Sequence, residues 1–122
     1  MTVTLLLDGL QVDILKIRNL FLEFFQGNGF LFTGNEIATA VHHGINLVTI
    51  VFSDGAYGNV RRIQQQMYDN KVIASELTNP DFVAYAESFG AAGLRVEKPE
   101  QLERTIKQAL ALEKPAIIEV PM

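Results

Sequence analysis

A chain of 122 residues, 48% apolar and 20% charged, has the length of one globular domain and a composition that excludes disorder. Its net charge of −4 and pI near 5.1 argue against nucleic acid or an anionic membrane as partner, so any phosphate must be held by backbone amides and a metal. The absence of cysteine excludes disulfides, thiolate chemistry and cysteine-based zinc sites. No apolar run approaches the roughly 20 residues needed to cross a bilayer. Residues 1–7 lack the basic start of a signal peptide, which makes the cytoplasm the expected location.

Residues 2–7 read as a strand, 11–18 as a helix and 20–25 as a strand ending at Gln26-Gly27-Asn28-Gly29. A single helix over 11–25 is the alternative. The stripe Phe21, Leu22, Phe24 and Phe25 is expected in the core or against a neighbour. Thr33 or Asn35 can cap a helix through Glu36 and Val41 to His42-His43, with Gly44 as its stop. Residues 47–52 form a continuous apolar run rich in β-branched side chains, which suits a strand buried on both faces.

Gly58 or Asn59 opens the next helix, through Val60, Ile63 and Met67, and residues 69–78 are polar and irregular. Asn79-Pro80 predicts a helix start, with Phe82, Ala86 and Phe89 on one face and Gly90 at the end. A short strand over 93–96 follows. Pro99 opens a helix with Leu102, Ile106, Ala109 and Leu110 inward, and 116–120 is a final strand. Alternating strands and helices predict a single α/β domain: a mainly parallel sheet flanked by helices in three layers.

In such sheets ligands bind beyond the carboxyl ends of the strands. Two loops meet that rule, Gly27-Asn28-Gly29 and Asp54-Gly55-Ala56-Tyr57-Gly58, each expected just ahead of a helix whose free N–H groups attract anions. Glycines let the backbone approach an anion closely. Asp54 offers a hard oxygen to Mg²⁺, and the Ala56 carbonyl offers a second. Other polar residues read as structural. His42 and His43 point about 100° apart on a helix and cannot converge on one ion. Arg61 and Arg62 lie beyond the first turn, and Glu36 suits a helix dipole.

The stretches GFLFTGNEIATAVHHGINLVTIVFSDGAYGNVRR, NPDFVAYAESFGAAGLRV and PAIIEVPM resemble the cofactor-binding core of thiamine-diphosphate-dependent enzymes. The acetolactate synthase and benzoylformate decarboxylase type is the nearest. The resemblance divides the chain into residues 1–26, which lack it, and a partial thiamine-diphosphate-binding domain over 27–122. It implies Mg²⁺ held between a Gly-Asp-Gly turn and a later Asp or Asn. Carried onto this sequence, the later ligand is Asp54, with Ala56 as carbonyl donor; Gly55, Tyr57 and Gly58 line the diphosphate.

The first half of the motif departs from the pattern. An ungapped alignment sets Gln26-Gly27-Asn28 on the turn and Gly27 on the metal-binding Asp. A shift of one residue makes Gly27-Asn28-Gly29 the turn and puts Asn28 in the ligand role, with no charge to offer. Upstream of Gln26 the family's helix and strand are not recognisable, nor is the domain that supplies the activating glutamate, and a truncated or frame-altered gene would account for both. The resemblance therefore implies a binder of thiamine diphosphate and Mg²⁺ related to enzymes of 2-oxo acids, with no catalytic residue of its own. As partners it implies the diphosphate cofactor and either a second copy or another subunit. The alternatives are a non-catalytic, self-associating module of the same fold and a generic nucleotide binder.

Overall fold

The structure, a computed structural model, describes residues 4–7, 10–13 and 21–122, with side chains from Gly29 onward. Strands β1 (Thr4–Leu7) and β2 (Leu10–Asp13) form an antiparallel pair. The remaining strands are β3 (Phe21–Gln26), β4 (Leu47–Ser53), β5 (Ala92–Arg95) and β6 (Ala116–Pro121). They make one all-parallel sheet in the order β3-β4-β6-β5.

The period-2 alternation of a strand splits the apolar runs of β4 and β6 between two covered faces. Val48, Ile50, Ala116 and Ile118 meet Leu102, Ile106 and Ala109 of helix α5 (Leu102–Ala111) on one side. Val51 and Ile117 meet Phe30, Ile37, Phe82 and Ala86 on the other. Those four residues come from α1 (Gly27–Thr33), α2 (Ile37–His43) and α4 (Phe82–Ser88). This is the three-layer α/β arrangement predicted from the alternation of elements. Phe82, fully buried, sets its ring edge-on to Phe30 at 5.7 Å and anchors the second face.

Several local expectations are corrected. Phe21–Gln26 is strand, in line with the strand reading of this stretch and against the single 11–25 helix, and Leu10–Asp13 is strand where the sequence predicts a helix over 11–18; residues 14–20 lie outside the described set. The core role expected of Phe21, Leu22, Phe24 and Phe25 falls on side chains outside that set. Helix begins at Gly27 rather than near Thr33, and Gly34–Glu36 form a 3₁₀ turn before α2. Neither Thr33 nor Asn35 caps: Asn35 Oδ1 accepts from the Tyr85 hydroxyl at 2.9 Å, holding α4 against this segment. Gly44 ends α2 in the left-handed conformation, as predicted.

Asn79 is not the cap of α4 either. Asp81 takes that place, accepting from the amides of Val83 (3.0 Å) and Ala84 (3.1 Å), while Asn79 donates to Ser53 Oγ at 3.3 Å. A carboxylate closer to the first turn satisfies two free donors, so it displaces the Asn-Pro signal. The same carboxylate accepts from Arg95 Nη2 at 2.8 Å, and Arg95 also clasps the buried Glu119 at 2.8 Å, tying α4, β5 and β6 together.

The Ala84 amide and then the Arg95 guanidinium hold the Asp81 carboxyl below its ordinary range. A lowered folded-state pKa contributes stability above the unfolded value of about 4, and that stability is lost as pH falls through the folded one. Asp81→Asn keeps a capping oxygen but loses the charge. Its melting temperature should lie below that of the parent at neutral pH, and the gap should close as pH falls below the ordinary carboxylate range and through the lowered folded-state value. A constant gap across that range would contradict the linkage.

Candidate cofactor site

β3 and β4 run in parallel with Gln26 opposite Phe52, so the two chain segments leave the carboxyl edge of the sheet side by side. One passes directly into α1, which makes Gly27, Asn28 and Gly29 the first turn of a helix and not a separate loop before it. The side chain of Asn28 lies outside the described residues. The other segment turns at Asp54-Gly55 and enters α3 (Gly58–Met67).

Gly55 has φ 62°, a left-handed value that a side chain would strain, and this reverses the chain immediately after the strand. Asp54 is half-buried; its Oδ1 lies 3.5 Å from the Ala56 amide, a long contact. Its Oδ2 lies 3.6 Å from where a Gly58 Cβ would stand, so no side chain separates the carboxylate from the start of α3. That start carries no side-chain cap. The first helical amide to be satisfied is Arg61, bonded to the Tyr57 carbonyl at 2.9 Å, which leaves the amides of Gly58, Asn59 and Val60 unpaired among the described residues.

Ala56 is buried and forms an antiparallel bridge with Glu76. The Tyr57 amide donates to the Ser75 carbonyl at 2.9 Å and the Leu77 amide to the Gly55 carbonyl at 2.8 Å. Because these bonds flank Ala56, its own N–H and C=O point away from residues 75–77, toward the side where the Asp54 carboxylate lies. No hydrogen bond among the described residues reaches that carbonyl. A carboxylate, a free backbone carbonyl and three open amides thus occur within the seven residues Asp54–Val60 that follow β4. That set suits a hard cation shared with a phosphate, since Mg²⁺ ordinarily takes only one or two carboxylates and fills its remaining positions with phosphate oxygens and water.

The remaining polar candidates sit apart. Arg61 pairs with Glu76 at 3.5 Å, and Arg62 donates to Asn59 at 3.0 Å. His42 and His43 are exposed with rings 4.8 Å apart, and among the described residues no three acidic, histidine or cysteine side chains cluster as a metal site. A cavity of about 620 Å³ opens elsewhere, between α1, α2 and the amino end of β4, lined by Phe30, Glu36, Ile37, Leu47 and Thr49 among others. Among the described residues, none of the predicted ligands lines it. The free donors and acceptors, not this cavity, mark the chemistry.

The family described as "Thiamine pyrophosphate enzyme, C-terminal TPP binding domain" matches residues 27–120. The chain belongs to this family. As a thiamine-pyrophosphate-binding domain it is 46% identical over 94 residues to acetolactate synthase of Bacillus subtilis (strain 168), covering 77% of this chain and 16% of that protein. It is 37% identical to the catabolic acetolactate synthase of Raoultella terrigena, over 77% of this chain and 17% of that one. Its fold overlays the thiamine diphosphate-dependent 4-hydroxybenzoylformate decarboxylase of Rhodococcus jostii RHA1 with TM-score 0.75 at 25% identity, over 83% of this chain and 19% of that chain. The domain thus spans about a sixth of the length of these curated relatives. Among the described residues no helix is long and apolar enough to cross a membrane.

Proposed function

We propose that residues 27–122 hold the diphosphate of thiamine diphosphate through Mg²⁺, with the Asp54 carboxylate and the Ala56 carbonyl as its protein ligands on the β4 side. Asn28, at the head of α1, is the third ligand of this proposal, and Gly27, Gly29, Gly55, Tyr57 and Gly58 line the diphosphate. The observation that carries it is the unengaged Ala56 carbonyl turned to the side of Asp54 beside three open amides of α3. The bound coenzyme would supply carbanion stabilisation for chemistry on 2-oxo acids; this chain's residues bind and orient it. We place this function in the cytoplasm.

With a single described carboxylate at the site, the protein offers too little charge to hold Mg²⁺ tightly alone. Metal and diphosphate should bind together, each raising the affinity for the other. Calorimetric titration checks this: heat with thiamine diphosphate plus Mg²⁺, and little with either alone or with ATP plus Mg²⁺. An equal response to ATP would favour a general nucleotide site. Assayed alone, the 122 residues should not turn over a 2-oxo acid, because the resemblance places the activating glutamate in another domain. Measurable decarboxylation by them would overturn that part.

One feature favours association with a second copy or another subunit. Helix α3 buries none of its residues, and Val60, Ile63 and Met67, at i, i+3 and i+7, are 48%, 43% and 75% exposed. An apolar stripe at helical spacing gains from a partner. Concentration-dependent sedimentation with no response to any phosphate ligand would leave the chain as an interaction module only.

A further inference from the structure

A polar clamp on the loop after α3 has no part in the assignment above. Gln64, on α3, donates from Nε2 to the Ile73 carbonyl at 2.8 Å and accepts at Oε1 from the Ser75 hydroxyl at 2.7 Å. Ser75 is completely buried. A buried hydroxyl with one partner is costly to orphan, so this bond fixes where the loop crosses the helix.

The loop needs fixing. Asp69, Asn70 and Ala74 have φ of 50°, 57° and 56°, left-handed values that non-glycine residues seldom adopt. Such a backbone persists only where its surroundings impose it. Gln64 grips the loop on both sides of Ala74, at residues 73 and 75. The next contacts along the loop are the bonds that orient the Asp54–Gly58 turn: the Tyr57 amide donates to the Ser75 carbonyl and the Leu77 amide to the Gly55 carbonyl.

We propose that Gln64 and Ser75 are positioning residues for the metal site: they hold residues 73–77 against the turn and thereby keep the Ala56 carbonyl aimed at the cation. This rests on the reading of Asp54 and Ala56 as ligands. It explains why a glutamine two turns into α3 and a buried serine eleven residues later are bonded to each other. Neither residue is among the proposed ligands. Their effect passes through the backbone of residues 55–57, as partners behind a ligand ordinarily tune metal affinity by 10–100-fold.

The test is Gln64→Leu, of similar volume but without either bond, beside Gln65→Leu at the exposed neighbouring position. Two readouts are taken on the full chain: amide hydrogen exchange at Tyr57 and Leu77 without ligand, and thiamine diphosphate affinity with and without Mg²⁺. The expected result for Gln64→Leu is at least tenfold faster exchange at both amides and a Mg²⁺-dependent gain in affinity reduced about tenfold. Gln65→Leu and the parent should coincide. Ser75→Ala should repeat the Gln64→Leu pattern, with the rest of the sheet still protected. Unchanged exchange at Tyr57 and Leu77 in Gln64→Leu would overturn the clamp, as would faster exchange with an unaltered Mg²⁺ effect. If the parent itself shows no Mg²⁺-dependent binding, the ligand assignment fails and the positioning role fails with it, whereas the exchange data alone still report whether the clamp orders the turn.

Discussion

Replacing Gly93 with alanine should lower the stability of the domain by about 3 kcal/mol, near the top of the usual 1–3 kcal/mol cost of overpacking. A Cβ at this position of β5 would stand 2.6 Å from the Val83 carbonyl oxygen and 2.9 Å from the Val83 Cα. Both are backbone atoms of α4, so no rotamer change relieves the clash. The helix must lift from the sheet, and with it Phe82 and Ala86, which are fully buried against Val51 and Ile117. Gly93 shows no positive φ, so the cost is steric and not conformational.

Thermal unfolding would register the change as a fall in melting temperature on the order of 10 °C for a domain of this size. Gly29→Ala supplies the contrast. Its Cβ would meet nothing within 4 Å inside α1, and alanine is favoured over glycine in a helix by about 0.5–1 kcal/mol. A Gly93→Ala variant as stable as the parent would mean that α4 does not ride this close to β5.

The second large effect is functional. Asp54→Ala should lower the Mg²⁺-dependent affinity for thiamine diphosphate by roughly 100-fold or more, since removing a ligand outright should exceed the 10–100-fold typical of the groups behind one. Its melting temperature should stay near that of the parent. The carboxylate is half-buried, its one hydrogen bond is a 3.5 Å contact, and no cation pairs with it among the described residues. A residue kept only to shape a turn would show the opposite pattern, losing stability and sparing the metal dependence.

Much of this was legible in the sequence because the elements concerned announce themselves by periodicity. The uninterrupted apolar run of β4 and the i, i+4 spacing of α5 leave no competing reading, and Gly44 and Gly90 stop their helices where the chain turns left-handed. The turn of the Asp-Gly-x-x-Gly segment was legible too: Gly55 adopts the left-handed conformation and the helix opens at Gly58, where the glycines predict both. β2 was not. Leu10-Gln11-Val12-Asp13 alternates over only four residues, too few to separate a strand from a helical turn. The start of α4 was misread because Asn79-Pro80 and Asp81 compete for the same cap, and only the structure shows Asn79 turned toward Ser53.

The Gln64–Ser75 pair lay beyond any periodic signal. It joins a helix to a loop whose left-handed residues are Asp69, Asn70 and Ala74, with no glycine among them to flag the turns. Burial of Ser75 is set by tertiary contacts, which local composition does not encode. The same holds for the Arg95 clasp on Asp81 and Glu119, whose partners stand 14 and 24 residues away.

The most direct test of the central claim substitutes Mn²⁺ for Mg²⁺ and follows paramagnetic broadening of backbone amides. With thiamine diphosphate present, broadening should centre on Asp54, Gly55, Ala56 and Gly58, spare Ala40 and Leu47 beside the large cavity, and vanish in Asp54→Ala. Broadening centred elsewhere, or equally strong in that variant, would contradict the assignment of the cation to this edge of the sheet.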